Sequence, residues 1–321
     1  MVWCGMTKYL LFCLLLASLT DTAVRGAEPP SETPAYLVKV GLDADDRAPP
    51  AAVPDETKSC EGVTFSRNLR YGESEQNVLD VATGSADTGP AIPRPVLLFV
   101  AGESFSAEHA APDAQAPMRD AAMCFAARHG MVGARMSYQL APANPWPSGA
   151  RDVAAATSWL HQNVDVFGGN RDEIVAVGYS VGAFHVASLL AHPEFQITDS
   201  DVAAAVLVSG IYRASADANS EEQSYFGADA SQYDQRSAFP GILNVETPLL
   251  LAWSTQDPPR IVAEGETLKQ RLCNSAAHCP RTTLLGYREG LASVFEADAS
   301  GGGLAQPTLE LVREIEARGL P

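Results

Sequence analysis

The sequence predicts a doubly wound α/β domain, with helices on both faces of a mostly parallel central sheet. Continuous apolar runs recur along the chain, and runs without polar alternation are typical of strands buried on both faces of a parallel sheet. Segments with helical spacing separate these runs, so strands and helices alternate. The predicted strands span 95–100, 131–136, 174–177, 203–208 and 248–253, with a further strand at 282–286.

The helical segments are predicted from the spacing of their apolar side chains. Residues 148–164 are the clearest case, because apolar side chains recur there at intervals of three and four residues. The other predicted helices span 119–128, 180–192, 260–272 and 307–317. The longest connection between strands, at about 210–245, is polar with scattered aromatic residues. We expect it to form a lid-like insertion above the carboxyl ends of the strands, where ligands bind in such folds.

The N-terminal segment differs from the rest of the chain. Residues 1–27 have the pattern of a secretory signal peptide, with Lys8, a short apolar core and small residues at a cleavage site. The core is too short to span a bilayer, and no later segment qualifies as a span. Residues 28–56 are rich in Pro, Ala and acidic residues, and predict a loosely packed lead-in to one domain at 57–321. The sequence therefore predicts a secreted or periplasmic protein.

Composition excludes several classes of partner. The net charge is -17, so the protein should repel nucleic acid and anionic membranes. Nothing in the sequence indicates a cofactor, and the cysteine spacing resembles no zinc site. We expect a small-molecule ligand, and the sequence does not indicate an oligomeric state.

Four cysteines lie beyond the predicted signal peptide, at Cys60, Cys124, Cys273 and Cys279. Cys273 and Cys279 are close enough to close a small loop, and either a disulfide or two free thiols fits this spacing. Cys124 lies in a helical pattern and is predicted to be a buried core residue.

The segment from Gly178 to Gly182 reads Gly-Tyr-Ser-Val-Gly, with an apolar strand before it and a helix after it. This is the strand-turn-helix context of a nucleophile elbow. A serine on such a sharp turn needs small neighbours, and the two glycines supply them. Ser180 is therefore the predicted nucleophile.

Two further positions suit a serine nucleophile. Asp257 follows the strand 248–253, where a carboxylate would orient a catalytic base, although an Asp before Pro258 also suits a helix cap. The loop after the strand 95–100 should provide the oxyanion hole, from the N–H groups of Gly102 and Val181. Glu103 lies in the same loop, and its carboxylate would oppose a developing negative charge if it pointed inward.

The catalytic base is the missing part. In this architecture the base follows both nucleophile and acid in the chain, but no histidine lies beyond His278. His278 precedes the strand 282–286 and so lies at the wrong end of the sheet. His185 lies in the helix that follows Ser180, rotated away from the serine, and is expected to be a packing residue. His109 follows the strand 95–100 and is the candidate rescue base. The remaining histidines, predicted at helix ends or on the surface, are His129, His161 and His192.

Over about residues 62–318, these patterns together resemble the carboxylesterase and hormone-sensitive-lipase-like family of the α/β-hydrolase superfamily. The motifs that carry the resemblance lie at 70–72, 78–80, 130–133, 138–142, 145–147, 150–153, 168–172, 178–182, 225–227 and 257–258. The resemblance implies the α/β-hydrolase fold and hydrolysis of small carboxylic esters or amides. It also implies Ser180 as nucleophile, Asp257 as acid, and no metal or cofactor.

The sequence departs from the family at three places. The family's His-Gly-Gly motif reads Ala-Gly-Glu at 101–103, the arginine of its Tyr-Arg-Leu-Ala-Pro motif is Gln139, and its catalytic histidine falls on Glu289 or Gly290. Because triad members act as a unit, loss of the histidine should cost most of the turnover. Two hypotheses follow: a hydrolase with a weak or unusual base, and a secreted pseudoenzyme that binds a small ligand without turnover.

Overall fold

The computed structural model describes residues 60–84, 92–102, 104–110, 112–215, 218–275, 279–286, 295 and 303–319. The predicted signal peptide and lead-in therefore lie outside the described residues. So do four positions that bear on the site, Glu103, His278, Glu289 and Gly290.

The described residues form an eight-stranded sheet in the order β1-β2-β4-β3-β5-β6-β7-β8. Strands β3 to β8 run parallel, and β2 pairs antiparallel with both β1 and β4. The strands are β1 Val63–Arg70, β2 Val78–Gly84, β3 Arg94–Val100, β4 Val132–Met136, β5 Gly169–Tyr179, β6 Ala204–Val208, β7 Leu249–Ser254 and β8 Arg281–Leu285. The predicted mostly parallel α/β sheet is confirmed.

Helices cover both faces of this sheet. They are α1 Pro112–Arg128, α2 Ser148–Asn163, α3 Val181–Ala191, α4 Ser220–Phe226, α5 Pro259–Asn274 and α6 Ala305–Gly319. Alternate residues of β3 show the layering: Leu98 packs in one core with α2, α3 and α5, whereas Leu97 and Phe99 pack in a second core with α1 and α6. This alternation explains why the strand sequence is apolar throughout. Within the described ranges, every helix is too short or too polar to cross a membrane.

The insertion between β6 and β7 is anchored by buried aromatic rings. It contains α4 and two short 3-10 turns, Ala230–Gln232 and Gly241–Asn244. Tyr225 and Phe226 of α4 are at most 1% exposed and pack against Phe105, which follows β3. The aromatic residues of this segment therefore form a small core of their own beside the carboxyl ends of the strands.

The described residues contain two disulfides, one between distant positions in the chain and one between neighbouring positions. Cys60, before β1, is bonded to Cys124 of α1, across a separation of 64 residues. Cys124, predicted to be a buried core residue, is fully buried, and it is also half of a disulfide that the sequence did not predict. The second bond joins Cys273 to Cys279, the pair that the spacing suggested.

Candidate active site

Ser180 lies on a strained turn between β5 and α3. Its backbone has φ 52° and ψ -114°, a left-handed φ that a non-glycine residue seldom adopts. The turn is held because the Ser180 N–H donates to Val208 O at 2.8 Å, and Ser180 O accepts from the N–H of Ala183 at 3.1 Å. Such strain costs about 1–3 kcal/mol and is concentrated at functional sites. The predicted nucleophile thus has the backbone geometry of an elbow.

The two glycines of the motif are needed for packing. A Cβ on Gly182 would lie 2.0 Å from Val100 O, so the turn sits directly against the end of β3. A Cβ on Gly178 would lie 2.6 Å from the carbonyl oxygen of Gly182 itself. Neither position has room for a side chain, which is the physical reason for the Gly-x-Ser-x-Gly spacing here.

The backbone of Gly102 contacts the nucleophile. A Cβ on this residue would lie 2.6 Å from Ser180 Cβ and 2.5 Å from Tyr179 O. Val181, the other predicted oxyanion donor, is the first residue of α3, where N–H groups lack partners within the helix. The structure thus brings Gly102, Ser180 and Val181 together. Glu103 lies outside the described residues, and its influence stays a prediction.

The loop after β3 is held from two sides. The hydroxyl of Tyr138 donates to Ala101 O at 2.9 Å, and Ser104 O lies 3.4 Å from the same hydroxyl oxygen. From the insertion, Glu221 Oε1 accepts hydrogen bonds from Ser104 Oγ at 2.5 Å and from the Phe105 N–H at 2.8 Å. Sequence reasoning missed Glu221, because its partners lie more than 100 positions away along the chain.

Asp257 lies at the same edge of the sheet, directly after β7. Its Oδ2 accepts from Ser209 Oγ at 2.7 Å and from the Ser254 N–H at 2.9 Å. The N-cap of α5 is Pro258 and has no side-chain capping bond, so Asp257 does not cap that helix. The register pairs Tyr179 with Val208, which places Ser180, Ser209 and Asp257 at the carboxyl ends of three adjacent parallel strands.

Ser209 is a second residue that sequence reasoning missed. It follows β6, has φ 48°, and its N–H donates to Ala252 O at 2.8 Å. Its side chain is buried and is committed to Asp257. A positive φ is not readable from a serine in the sequence, so the only available signal was its position after an apolar strand.

His185 is sealed inside the domain, as expected. It has no exposed surface, and neither of its ring nitrogens has a hydrogen-bond partner among the described residues. Its ring packs edge-on against Tyr138, with centroids 4.6 Å apart, and lies directly against the backbone of Gly149. Burial lowers the pKa of the His185 imidazole to about 3, so the ring is neutral at ordinary pH.

Three other histidines are engaged by main-chain carbonyl groups. The rings of His129, His161 and His192 lie 2.8 Å, 2.9 Å and 2.9 Å from the carbonyl oxygens of Phe125, Asp201 and Ser237, respectively. The candidate rescue base, His109, follows the Gly102 loop, and its Nδ1 lies 2.8 Å from Ser106 Oγ. A role of His109 as the base of Ser180 stays a prediction.

Gln139 stands where the Tyr-Arg-Leu-Ala-Pro motif of the family has arginine, and its amide takes part in a buried hydrogen-bond network. The buried carboxylate of Asp152 accepts from the N–H of Gln139 at 2.7 Å, from Gln139 Nε2 at 3.1 Å and from Asn77 Nδ2 at 3.0 Å. Burial raises the pKa of Asp152, and these amide donors only partly offset that effect. An amide at position 139 therefore still ties α2 to the loop after β4.

Comparison with known proteins identifies esterases as sequence relatives. Esterase LipC of Mycobacterium tuberculosis is 28% identical over 214 residues, which cover 62% of this chain and 51% of LipC. Esterase LipQ of the same organism is 28% identical over 211 residues, covering 62% of this chain and 48% of LipQ. The chain thus spans about half the length of the curated relatives it matches.

Solved structures show the same fold. Esterase B from Lactobacillus rhamnosis superposes with a TM-score of 0.62 at 17% identity, over 80% of this chain and 86% of its own. A truncated carbohydrate esterase from gut microbiota gives a TM-score of 0.63 at 16% identity, over 79% of this chain and 96% of its own. A match to the BD-FAE family covers residues 79–272, more than half of the sequence. The chain therefore belongs to the BD-FAE family of α/β-hydrolase esterases.

Proposed function

We propose that this protein is a slow serine hydrolase of small carboxylic esters or amides, with Ser180 as its nucleophile. The observation that carries the proposal is the contact between the strained elbow of Ser180 and the backbone of Gly102. A serine held at φ 52° beside an oxyanion loop and a helix N-terminus is arranged for attack on a carbonyl carbon.

The residues have distinct roles in the proposed reaction. Ser180 Oγ attacks the carbonyl carbon, and the N–H groups of Gly102 and Val181 stabilise the negative charge that develops on the carbonyl oxygen. The leaving group departs from the tetrahedral intermediate to give an acyl-enzyme, which water then hydrolyses. Asp257 orients and stabilises the group that carries the serine proton, and His109 is the candidate for that group.

Low turnover is part of the proposal. Loss of a triad histidine removes roughly 10⁶-fold in turnover, whereas ~10³–10⁴-fold over water remains from binding and the oxyanion hole. An ester with a good leaving group needs little protonation on departure, so acylation should be less impaired than deacylation. We therefore expect an acyl-enzyme to accumulate.

The substrate and the compartment also belong to the proposal. The relatives are named esterases, and one solved structure describes esterase B with a tributyrin phosphonate. We therefore choose short acyl esters as first substrates. Export from the cytoplasm is supported by the signal-like pattern at 1–27 and by two disulfides, which persist in oxidising compartments.

A second candidate is ligand binding without turnover. The observation that favours it is the engagement of the imidazoles. His129, His161 and His192 bond to main-chain carbonyl groups, and His185 is buried without access to solvent. Four of the six histidines in the sequence are thus buried or bonded to main-chain carbonyl groups, and His109, the candidate base, is itself within 2.8 Å of Ser106 Oγ.

The test compares the purified protein with Ser180→Ala. We would measure p-nitrophenol release from the acetyl and butyryl esters, and the intact mass after mixing, at matched protein concentrations. An initial burst, a mass gain of one acyl group and their loss in the variant would support the hydrolase. Rates equal to those of the variant, with no acyl adduct, would reject it in favour of ligand binding.

A further inference from the structure

We infer that Glu221, in the insertion, is a positioning residue for the oxyanion loop and for His109; this inference rests on the proposed function. Glu221 Oε1 accepts from Ser104 Oγ at 2.5 Å and from the Phe105 N–H at 2.8 Å. Both donors lie in the short loop that begins with Gly102, and Ser104 is buried. Hydrogen bonds to an ionised carboxylate are about twice as strong as those between neutral groups.

The bonds of Glu221 continue toward His109. Ser104 Oγ, while donating to Glu221, accepts from the Ser106 N–H at 3.0 Å. Ser106 Oγ in turn lies 2.8 Å from His109 Nδ1. Glu221 Oε1 therefore accepts from two groups of the loop, and one of these, Ser104 Oγ, holds the backbone of Ser106, whose hydroxyl lies beside the candidate base.

The position of the oxyanion loop matters for catalysis because the backbone of Gly102 contacts Ser180. The space between Gly102 and Ser180 is too small for even one added carbon, so a shift of the loop changes the site directly. Tyr138 holds the start of the loop by donating a hydrogen bond to Ala101 O. Glu221 holds the following part by accepting one from the Phe105 N–H. A misplacement of about 1 Å can cost roughly 10²-fold in rate.

The helix that carries Glu221 is itself fixed to the acid side of the site. The neighbouring Glu222 receives two hydrogen bonds from Arg260, at 2.6 Å and 3.1 Å. Arg260 belongs to α5, which begins two positions after Asp257. Asn219 caps α4 by accepting from the Glu222 N–H at 2.9 Å. The insertion thus connects the oxyanion loop to the acid loop. Tyr225 and Phe226 pack against Phe105 on the oxyanion side, and Glu221 adds hydrogen bonds to Ser104 and Phe105 there.

The experiment compares Glu221→Ala, Glu221→Gln and a matched control, Asp229→Ala. Asp229 lies in the same insertion, and its Oδ1 accepts from the N–H and the hydroxyl of Ser231 at 3.0 Å and 2.6 Å. The control therefore removes the same kinds of hydrogen bond without touching the oxyanion loop. For each protein we would measure kcat and KM on p-nitrophenyl butyrate, and hydrogen–deuterium exchange of the amides at 104–106.

We expect Glu221→Ala to lower kcat by about tenfold or more, with KM within about twofold, because positioning acts on the transition state. Its amides at 104–106 should exchange faster. Glu221→Gln keeps a carbonyl oxygen that can accept both bonds, so it should recover most of kcat and of the protection. Asp229→Ala should leave kcat and this protection at the original level.

Three results would overturn the inference. The first is original kcat and protection in Glu221→Ala. The second is an equal loss of kcat in Asp229→Ala, which would indicate general destabilisation. The third is a Glu221→Gln protein with full protection but no recovered turnover. If the unaltered protein has no Ser180-dependent turnover, the proposed function fails separately. Hydrogen–deuterium exchange then decides alone: faster exchange at 104–106 in Glu221→Ala supports positioning of the loop by Glu221, and unchanged exchange rejects it.

Discussion

The hydroxyl of Ser209 donates a 2.7 Å hydrogen bond to Oδ2 of Asp257, at the carboxyl edge of the sheet. The two residues follow adjacent parallel strands, and Ser180 follows the next strand along. This bond, with that of the Ser254 N–H, occupies one carboxylate oxygen and fixes the plane of the carboxyl group. These two hydrogen bonds hold the Asp257 carboxyl group in one orientation, so a catalytic base that binds to it would be oriented as well.

Ser209→Ala should lower Ser180-dependent turnover. A hydrogen bond to a charged group contributes about 1.5–3 kcal/mol, so a loss of about tenfold in kcat is expected even after partial relaxation. The matched control is Ser254→Ala, which removes a hydroxyl from the neighbouring strand end but keeps the N–H that Asp257 accepts. Initial rates of both variants on p-nitrophenyl acetate measure the effect, and equal rates would contradict it.

Gly102→Ala should strongly reduce the rate of acylation. The added methyl group would lie 2.5 Å from Tyr179 O and 2.6 Å from Ser180 Cβ, so the loop or the elbow must shift. We expect a loss of at least about 10²-fold in the acylation rate. Gly130→Ala is the control, because its φ of +78° costs stability while no atom lies within 4 Å of the added carbon. If the two variants lost similar stability and both kept their acylation rate, the close contact at Gly102 would not matter for function.

The parallel strands could be predicted from the sequence because a strand that is buried on both faces of the sheet is a continuous run of apolar residues. The run at 248–253 became β7, Leu249–Ser254, and the run at 203–208 became β6, Ala204–Val208. The elbow was equally local, since strand, turn and helix are contiguous. The antiparallel pair β1 and β2 was not predicted from the sequence, because β1 at the edge of the sheet has no buried residue and therefore no apolar run, and its pairing with β2 has a register shift.

The missed parts of the site depend on contacts between distant positions. Glu221 reaches the oxyanion loop across more than 100 residues, and Ser209 reaches Asp257 across 48. Neither has a local pattern that differs from an ordinary helix start or strand end. The bond between Cys60 and Cys124 is a further example, because only the packing of α1 near the start of β1 brings the two sulfurs together.

Stability should fall on acidification because of His185. Burial lowers its pKa from 6.5 to about 3, so between these values the unfolded chain binds a proton that the folded protein does not. The free energy of unfolding is therefore full above about pH 6.5 and decreases as pH falls toward 3, by up to about 5 kcal/mol. The raised pKa of Asp152 acts in the opposite direction, but equally in any variant of position 185.

Urea unfolding of the unaltered protein and of His185→Leu, from pH 8 to pH 5, isolates this effect. The leucine variant removes two buried nitrogens that have no partner among the described residues, so it should lose part of the pH dependence without a large loss of stability at pH 8. Parallel curves for the two proteins would show that His185 is not the source of the acid sensitivity.

The two disulfides should contribute unequally to stability. In the chain-entropy account, a cross-link stabilises by restricting the unfolded chain, and the effect grows with the length of the closed loop. The separation is 64 residues for Cys60 and Cys124, but 6 for Cys273 and Cys279. The expected contributions are about 4 kcal/mol and about 2 kcal/mol, respectively. Urea unfolding of the two double Cys→Ala variants at pH 7 measures both. An equal loss in the two variants would mean that unfolded-chain entropy does not dominate, and that local packing around each bond sets its contribution.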